Sequence, residues 1–446
     1  MSQKTKKFRV DVAVIGGGTA GTIAALSAAR AGASVILIER QGFLGGTLTS
    51  SSLGSLCGYY TVVEGRPEPV VGGLPMELVE GLRKMGGSPA DPLMWLRTAS
   101  IPYDLFSMKV LLDRLMEESS VKVLFHSQVT GVATDPDGKI AAADVLTRSG
   151  FVNVAATTFI DATGNAEVTA LAGGTFDLDV DTMQAPTSMF RFGGVDTAKM
   201  KAITRPELHR HLETAVAAGF ALPRTAGGMY SVRPGIVHVN ITRVEGSVNP
   251  FDPEQITAAE MEGRRQILLY EEAFRRFVPG FADAFVLDSG VEIGIRESRR
   301  IHGEVTLAYD DVTTSARFPD VIACSAWPIE DHTGDRGIRW VWLDPGEYYQ
   351  IPLRAMLPKS VANLIVAGRS ISATHDAQAS VRVTAQCFAM GEAAGLAAVT
   401  ALEHDGITSM IDISCVQDAL LERGAFLGEL PSAAPAHTLA STTSSN

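Results

Sequence analysis

Residues 12–39, VAVIGGGTAGTIAALSAARAGASVILIE, have the types and spacing to hold a dinucleotide. Gly16 permits a tight turn, Gly18 lets a pyrophosphate approach the backbone, and Gly21 lets a helix pack against a strand. Thr19 and Ala20 open that helix, whose free amides and dipole favour a diphosphate. Glu39 closes the next strand, where its carboxylate is placed to accept hydrogen bonds from a ribose. The bland alternative is a crossover that binds nothing. Against it stand strand, glycine turn, helix, strand and acid, all in the right order.

These residues need a strand at 12–15, a helix over 19–31 and a strand at 35–38 to position them, with residues up to about Arg9 as a short mobile arm. Gly45 and Gly46, just past the acid, suit a loop passing a large ligand, or a plain turn. Pro75 suits the first position of a helix over 76–85. Asp104 caps a helix over 105–118. Strands follow at 121–125, 129–134 and 140–146, the last two joined by the turn Asp135-Pro136-Asp137-Gly138. Residues 159–165, FIDATGN, read as a buried strand breaking into a small-residue turn.

From about 175 to 352 the pattern changes to longer strands and long helices, which suggests a second domain. Strands are expected at 188–192 and 236–242, and a helix from Asp252-Pro253-Glu254 to near Pro279. Along 236–242, Val237, Val239 and Ile241 share one face, and His238, Asn240 and Thr242 the other. That polar face floors a site, meets solvent or meets a neighbouring subunit. No second glycine fingerprint appears, so no separate NAD(P) site is expected. Residues 363–370 return to a strand and turn, followed by a smooth Ala/Gly-rich helix over 378–402.

A length of 446 residues fits two to three domain-sized units, and 46% hydrophobic residues supply their cores. A net charge of −12 argues against a nucleic-acid partner. Cys57, Cys324, Cys387 and Cys415 show neither CxxC nor metal-ligand spacing, so no metal is expected and a reducing compartment is. The start of the chain has no apolar signal core, and no segment reads as long enough without charge to span a membrane. The expectation is a soluble, cytoplasmic protein with no membrane partner.

Together these blocks resemble the FAD-dependent oxidoreductases built on the glutathione-reductase-like two-domain fold. The matching pieces are the amino segment, DATGN at 161–165, NLIVAGRSISATHDAQASVRV at 363–383, and GIRESRRIHGEVTL at 294–307. The resemblance implies an α/β fold: a three-layer Rossmann-like FAD-binding domain plus a mixed-sheet α+β substrate domain. The first would comprise 1–60, 104–174 and 353–430, the second 61–103 and 175–352, with a disordered tail at 431–446. FAD is the implied cofactor. Gly16, Gly18 and Gly21, with Thr19 and Ala20, would hold its diphosphate, and Glu39 its adenosine ribose. Arg40, Gly45, Gly46 and Thr47 would line the path to the ribityl chain, and Val129 would offer backbone to the adenine. Ala162, Thr163 and Gly164 would make the second dinucleotide contact, with Gly368 and Arg369 by the diphosphate and ribityl. The helix after Ala379, starting at Ser380 and Val381, would aim amides at the pyrimidine end of the flavin.

The same resemblance picks out candidates for the chemistry. Trp327-Pro328-Ile329-Glu330-Asp331-His332 looks like one branch's aromatic-Pro-Ile-acid-x-His block, which makes His332 a general acid/base candidate or else a surface-loop histidine. His375, in SATHD, is the other candidate, or a loop anchor. Arg296 and Arg354 are anchors for a carboxylate or hydroxyl, or structural partners of Glu297 or Glu347. His238, Asn240 and Tyr349 are substrate-binding candidates. Cys57 has no second cysteine for a thiol relay. Trp340-Val341-Trp342-Leu343-Asp344-Pro345 is similar to the WxWxIP stretch of flavin-dependent halogenases, but Asp344 replaces the isoleucine and AGRS follows Val366. It is read as pocket wall or core.

The expected function is removal of a hydride from a C–H bond of a small organic substrate to flavin N5, with reoxidation by oxygen, a quinone or a partner protein. The alternatives are hydride delivery to an alkene of a carboxylate substrate, and non-redox use of FAD in a binding subunit, isomerase or lyase. A homo-oligomer is left open.

Overall fold

The computed structural model describes residues 6–334 and 337–428; the expected tail at 431–446 and the first five residues of the expected arm lie outside them. β1 (Lys6–Ile15), α1 (Thr19–Arg30) and β2 (Val35–Ile38) form the amino-terminal crossover. α2 (Gly73–Lys84) and α3 (Leu105–Glu118) follow, then β3 (Lys122–Leu124), β4 (Gln128–Thr134), β5 (Ile140–Thr147) and β6 (Gly150–Asp161). A further stretch holds β7 (Phe190–Gly193), α4 (Arg205–Ala217), β8 (Gly228–Tyr230), β9 (Val237–Asn240), α5 (Pro253–Phe277) and β10 (Phe285–Ser289). The chain then returns with β11 (Leu364–Val366), α6 (His375–Val381) and α7 (Thr384–Ala401).

The main sheet runs β3-β2-β1-β6-β5-β4, with β11 pairing the end of β6. β3, β2, β1, the end of β6 and β11 are parallel, while β4, β5 and the start of β6 form an antiparallel meander. β6 makes this possible because it is 12 residues long. Residues 142–147 pair with its first half, and residues 364–366 pair with 159–161 on the same edge. That length also corrects the expected arm: residues 6–9 already pair with 152–155 and belong to β1.

Alternate residues of the parallel strands feed two cores. Val12, Val14, Val35, Leu37, Ile160 and Ile365 pack toward α1 and α7. Ala13, Ile15, Ile36, Ile38, Phe159 and Val366 share the other core with Val129, Ile140, Ala143 and Val145 of the meander. The sheet therefore curls, and three layers result. α1 and α7 approach closely because α7 carries glycine where they cross. A Cβ on Gly391 would lie 2.3 Å from the Ala20 oxygen, and one on Gly395 2.5 Å from the Ala24 oxygen.

A second, antiparallel sheet is ordered β8-β9-β7-β10. Phe190, Phe192, Val237, Val239 and Ile241 bury one face against Leu208 and Leu212 of α4 and Ile267, Tyr270 and Phe274 of α5. The opposite face, expected to be polar, is polar but not wet: His238 and Thr242 are buried. Thr242 accepts from Ser188 N at 2.9 Å, which also explains why the strand there starts at Phe190 rather than Ser188.

Three helix expectations change in detail. α2 starts at Gly73, which puts Pro75 in its third position. The Glu392 carboxylate accepts from Leu74 N at 3.0 Å and so serves that helix start from across the core. The single helix expected over 378–402 is two helices, α6 and α7, broken at Arg382 and Val383. Residues 384–404 are apolar enough to cross a membrane by length and composition, with a mean hydropathy of 1.3, contrary to the sequence reading. They are 78% buried within the protein, as a core helix against α1.

Candidate active site

The carboxyl ends of the parallel strands and the polar face of the second sheet enclose a cavity of about 590 Å³. Ligands in open α/β sheets bind beyond such strand ends. Of the residues expected to hold a cofactor, Gly16, Gly18, Thr19, Ala20, Glu39, Arg40, Gly46, Thr47, Val129, Ala162, Thr163, Gly164, Gly368 and Arg369 line it. Gly21 and Gly45 do not: Gly21 sits beneath the turn, and Gly45 N is engaged by Gly17 O at 2.8 Å. Ser380 and Val381 are fully buried inside α6, and the break after them brings Arg382, Val383 and Thr384 to the cavity instead.

The geometry at the glycine turn fits a bound dinucleotide. A Cβ on Gly16 would lie 2.6 Å from the Ala162 oxygen, and one on Gly21 1.8 Å from the Gly16 oxygen, so both are small because the chain presses on them. A Cβ on Gly18 would meet nothing nearer than 3.7 Å. The space it leaves is cavity. α1 and α7 both start at this cavity without a side-chain cap, so two helix N-termini present unpartnered amides to it. Glu39 Oε2 accepts from Gly17 N and its Oε1 from Gln41 N, both at 2.7 Å. Each oxygen keeps a second lone pair for a ribose hydroxyl. Burial raises the Glu39 pKa, and donors from a ligand would oppose that.

The second and third turns are fixed by buried polar side chains. Asp161 Oδ1 accepts from Thr163 N at 3.1 Å and Thr163 Oγ1 at 2.7 Å, and Oδ2 accepts from Thr169 N at 3.1 Å. Arg369 donates to Gly164 O and, at 2.9 Å, to Asn165 Oδ1, which ties the turn after β11 to the turn after β6. Burial pulls Arg369 down to about 10. Arg40 pairs with Glu292 at the mouth.

The inner end of the cavity holds the second group of candidates. His332 lines it, with Nε2 3.1 Å from Glu330 Oε1, and Trp327 Nε1 donates to Glu330 Oε2 at 3.2 Å. Burial disfavours the Glu330 carboxylate, but His332, Arg382 and Arg296 outweigh it and hold Glu330 at about 2. Burial, then the charge of Arg296, pushes His332 down to about 3. An ionised glutamate therefore faces a neutral imidazole. Nε2 carries the hydrogen, and Nδ1, which has no partner among the described residues, keeps its lone pair.

The other expected chemistry residues separate. Arg296 lines the cavity and donates to Ala185 O, pairing with neither Glu297 nor Glu347. Arg354 lies on the outer side of a 3-10 turn, where its Nε and Nη2 both sit 3.0 Å from Asp320, and its side chain is 44% exposed. It is a surface ion pair and not an anchor in the cavity. His375 does not line the cavity: Nδ1 lies 3.0 Å from Glu297, and Nε2 3.3 Å from Asp331. Burial opposes its cation, but the two carboxylates prevail and lift it to about 9. With both nitrogens engaged, His375 clamps the start of α6. Tyr349 is buried in the core, its hydroxyl 2.7 Å from Ser380 Oγ. His238 is buried against Gly54, outside the cavity lining, and burial followed by Arg191 pushes it down to about 4. Asn240 does line the cavity, with Oδ1 unpartnered among the described residues.

Sequence reasoning missed Glu330, Arg382, Arg205, Arg224, Trp95 and Tyr230, all cavity residues. Glu330 stood inside the block that drew attention to His332. Arg382 was hidden by an Ala/Gly pattern that runs through the helix break. Trp95 stacks on Trp327 with centroids 5.7 Å apart and an 8° interplanar angle, and Trp340 packs on its edge from behind. All four cysteines are free, and burial pushes the cavity-facing Cys57 thiol up to about 12. Among the described residues, no group of three or more His, Cys, Asp or Glu side chains could hold a metal ion.

Solved structures with a similar arrangement include a geranylgeranyl bacteriochlorophyll reductase-like protein of Thermoplasma acidophilum. It is 15% identical with a TM-score of 0.49, over 94% of this chain and 84% of that one. A flavin-dependent brominase is 15% identical with a TM-score of 0.47, over 93% and 83%. A p-nitrophenol 4-monooxygenase of Pseudomonas putida is 13% identical with a TM-score of 0.45, over 94% and 85%. No curated protein matches this sequence. Residues 11–420 match the family of FAD dependent oxidoreductases. With nearly the whole chain matched and a dinucleotide cradle at its amino end, the protein belongs to the FAD-dependent oxidoreductase family and is an enzyme that uses FAD.

Proposed function

We propose that the enzyme takes two electrons from a small organic substrate at a C–H bond next to an oxygen or nitrogen, with His332 accepting the proton. The observation that supports this is the Glu330–His332 pair in the inner cavity, with a neutral imidazole whose buried Nδ1 has no partner among the described residues. FAD, when bound, supplies the acceptor for the hydride. Gly18, Glu39, the 161–165 turn and Arg369 would hold it. The start of α7 at Thr384 offers a positive dipole end where negative charge develops on reduction.

Within the chain, Glu330 fixes the imidazole tautomer by accepting from Nε2–H. A proton leaving the substrate is then received at Nδ1. Trp327 and Trp95 wall the chamber and exclude water. Reoxidation by oxygen, a quinone or a partner protein completes the cycle. The opposite direction, hydride delivery to an alkene conjugated to a carboxylate, is a second reading favoured by the arginines at the same end of the cavity.

Anaerobic mixing of the flavin-loaded enzyme with a metabolite panel tests the direction. At least one compound should bleach the flavin. No bleaching, together with prompt reduction by NADPH, would reverse the assignment. With a bleaching substrate in hand, His332→Asn should keep its flavin and lose about 10²–10⁴-fold in kcat. Because the free enzyme holds this histidine at about 3, kcat/KM should stay level on acidification through pH 6.5, where an ordinary histidine would titrate.

A further inference from the structure

Among the described residues, the inner end of the cavity is lined by more arginines than carboxylates. Arg205, Arg224, Arg296 and Arg382 line it, and among the described lining residues Glu330 is the carboxylate that acts on all four. Among the described residues, no carboxylate lies within ion-pair distance of any of the four arginines. Arg296 is held by a backbone carbonyl, Ala185 O. Arg382 donates to Gln184 Oε1 at 3.1 Å and to Glu330 O at 3.0 Å, and its buried Nε has no partner among the described residues. Arg205 lies over the Trp95 ring, 4.5 Å from its centroid, and its buried Nη1 has no partner among the described residues. Among the described residues, Arg224 is hydrogen-bonded through its backbone alone, to the Tyr270 hydroxyl.

Buried guanidiniums are ordinarily paired, because leaving one unmatched is costly. These four are half-buried, yet desolvation still pulls all of them below the ordinary arginine range, and neighbouring guanidiniums add to this at Arg296 and Arg224. The glycine turn, where a dinucleotide's phosphates belong, has Arg369 instead, tied to Gly164. Arg205 and Arg224 come from the second sheet's side of the cavity, at α4 and just before β8.

We infer that the inner chamber takes a small organic dianion, a molecule with at least two carboxylate or phosphate charges, gripped by Arg205, Arg224 and Arg296 beside the Glu330–His332 pair. The inference rests on the oxidoreductase reading for which end of the cavity receives substrate. Guanidinium forks match such oxyanions by two parallel N–H bonds. The stacked Trp95 and Trp327 rings give the carbon skeleton a flat apolar wall. An anion there would also offset the Arg296 charge that depresses His332, so that substrate binding strengthens the base that acts on it.

Titration of the oxidised, FAD-loaded enzyme with succinate, glycerol 3-phosphate, propionate, succinamide and glycerol, read by the visible flavin spectrum, tests this without turnover. Succinate or glycerol 3-phosphate should give a saturable shift at least about tenfold tighter than propionate, and the two uncharged compounds none. Whichever of the two dianions binds tighter distinguishes a carboxylate from a phosphate substrate. Arg224→Gln and Arg205→Gln should each weaken that binding about tenfold or more while retaining flavin and melting temperature, and Arg224→Lys should restore part of it. No shift with either dianion, equal shifts with succinamide, or unchanged binding in flavin-retaining Gln variants would overturn the inference. Bleaching by uncharged compounds alone would also overturn it and leave the dehydrogenase reading standing. Dianion binding with no bleaching by any metabolite supports it and removes that reading instead.

Discussion

Substituting Gly18 by valine separates the two jobs that the glycines of the first turn perform. Gly18 has φ −79° and ψ −161°, a conformation open to any L-residue, and its absent side chain has no protein neighbour to strike. Gly18→Val should therefore fold with an apo melting temperature close to wild type and lose most of its FAD content. Gly21→Val, driven into the Gly16 carbonyl, should fail to fold. Flavin released by denaturation, set against the apo melting curve, checks both. At this scale the sequence was most legible where residue type follows from local geometry, as in the glycine turn and the Asp161 turn. It was least legible for charged side chains. Arg296 and Arg354 look alike as text, yet one ends in the cavity and the other on Asp320 at the surface. Arg205 and Arg224 belong to no local pattern, and only the packing of the second sheet brings them to the site.

Elements were readable by their ends and periods, and misread where a distant partner decides. Asp104, accepting from Ser107 N at 2.9 Å, starts α3 where its spacing predicts. α2 starts earlier than Pro75 predicts because Glu392, on α7, reaches its first turn. Glu392 is buried with Oε1 unpartnered, and burial lifts it to about 7 from an ordinary value near 4.5. A carboxyl raised in the folded state contributes stability fully below pH 4.5, and that contribution is lost as pH rises through about 7. Glu392→Gln should thus match wild type at pH 5 and be more stable at pH 8.5, by up to about 3 kcal/mol. Urea unfolding at the two pH values measures the difference; a variant less stable at both would show the charge to be favourable. The α6–α7 break is the other instructive element. Composition favours one unbroken helix, while His375 held between Glu297 and Asp331 anchors α6 separately and leaves α7 to begin at the cavity.

For the molecule as a whole, the parallel crossover followed from period and glycine spacing and the α/β class from the family resemblance, whereas the choice among floor, solvent and subunit for the second sheet's polar face did not. A strand with alternating polar residues reads as half wet. Here that side is turned inward, as His238 against Gly54 and Asn240 at the cavity show. Since the cradle draws on turns after β1, β6 and β11, FAD should stabilise the whole fold and not one lobe. Adding FAD to deflavinated protein should raise a single melting transition by a few degrees at about a hundredfold excess over Kd. FMN, which lacks the half that Glu39 and Val129 would meet, should do so far less. The sheet's connectivity carries one more consequence, for the order of events during synthesis. β11 comes more than 200 residues after the strand it joins, and Arg369 just beyond it fastens Gly164. A nascent chain that has not reached Leu364 owns the glycine turn but neither the neighbour of residues 159–161 nor that fastening. The cradle therefore cannot close until residues 364–369 have been made, and flavin binding waits on them.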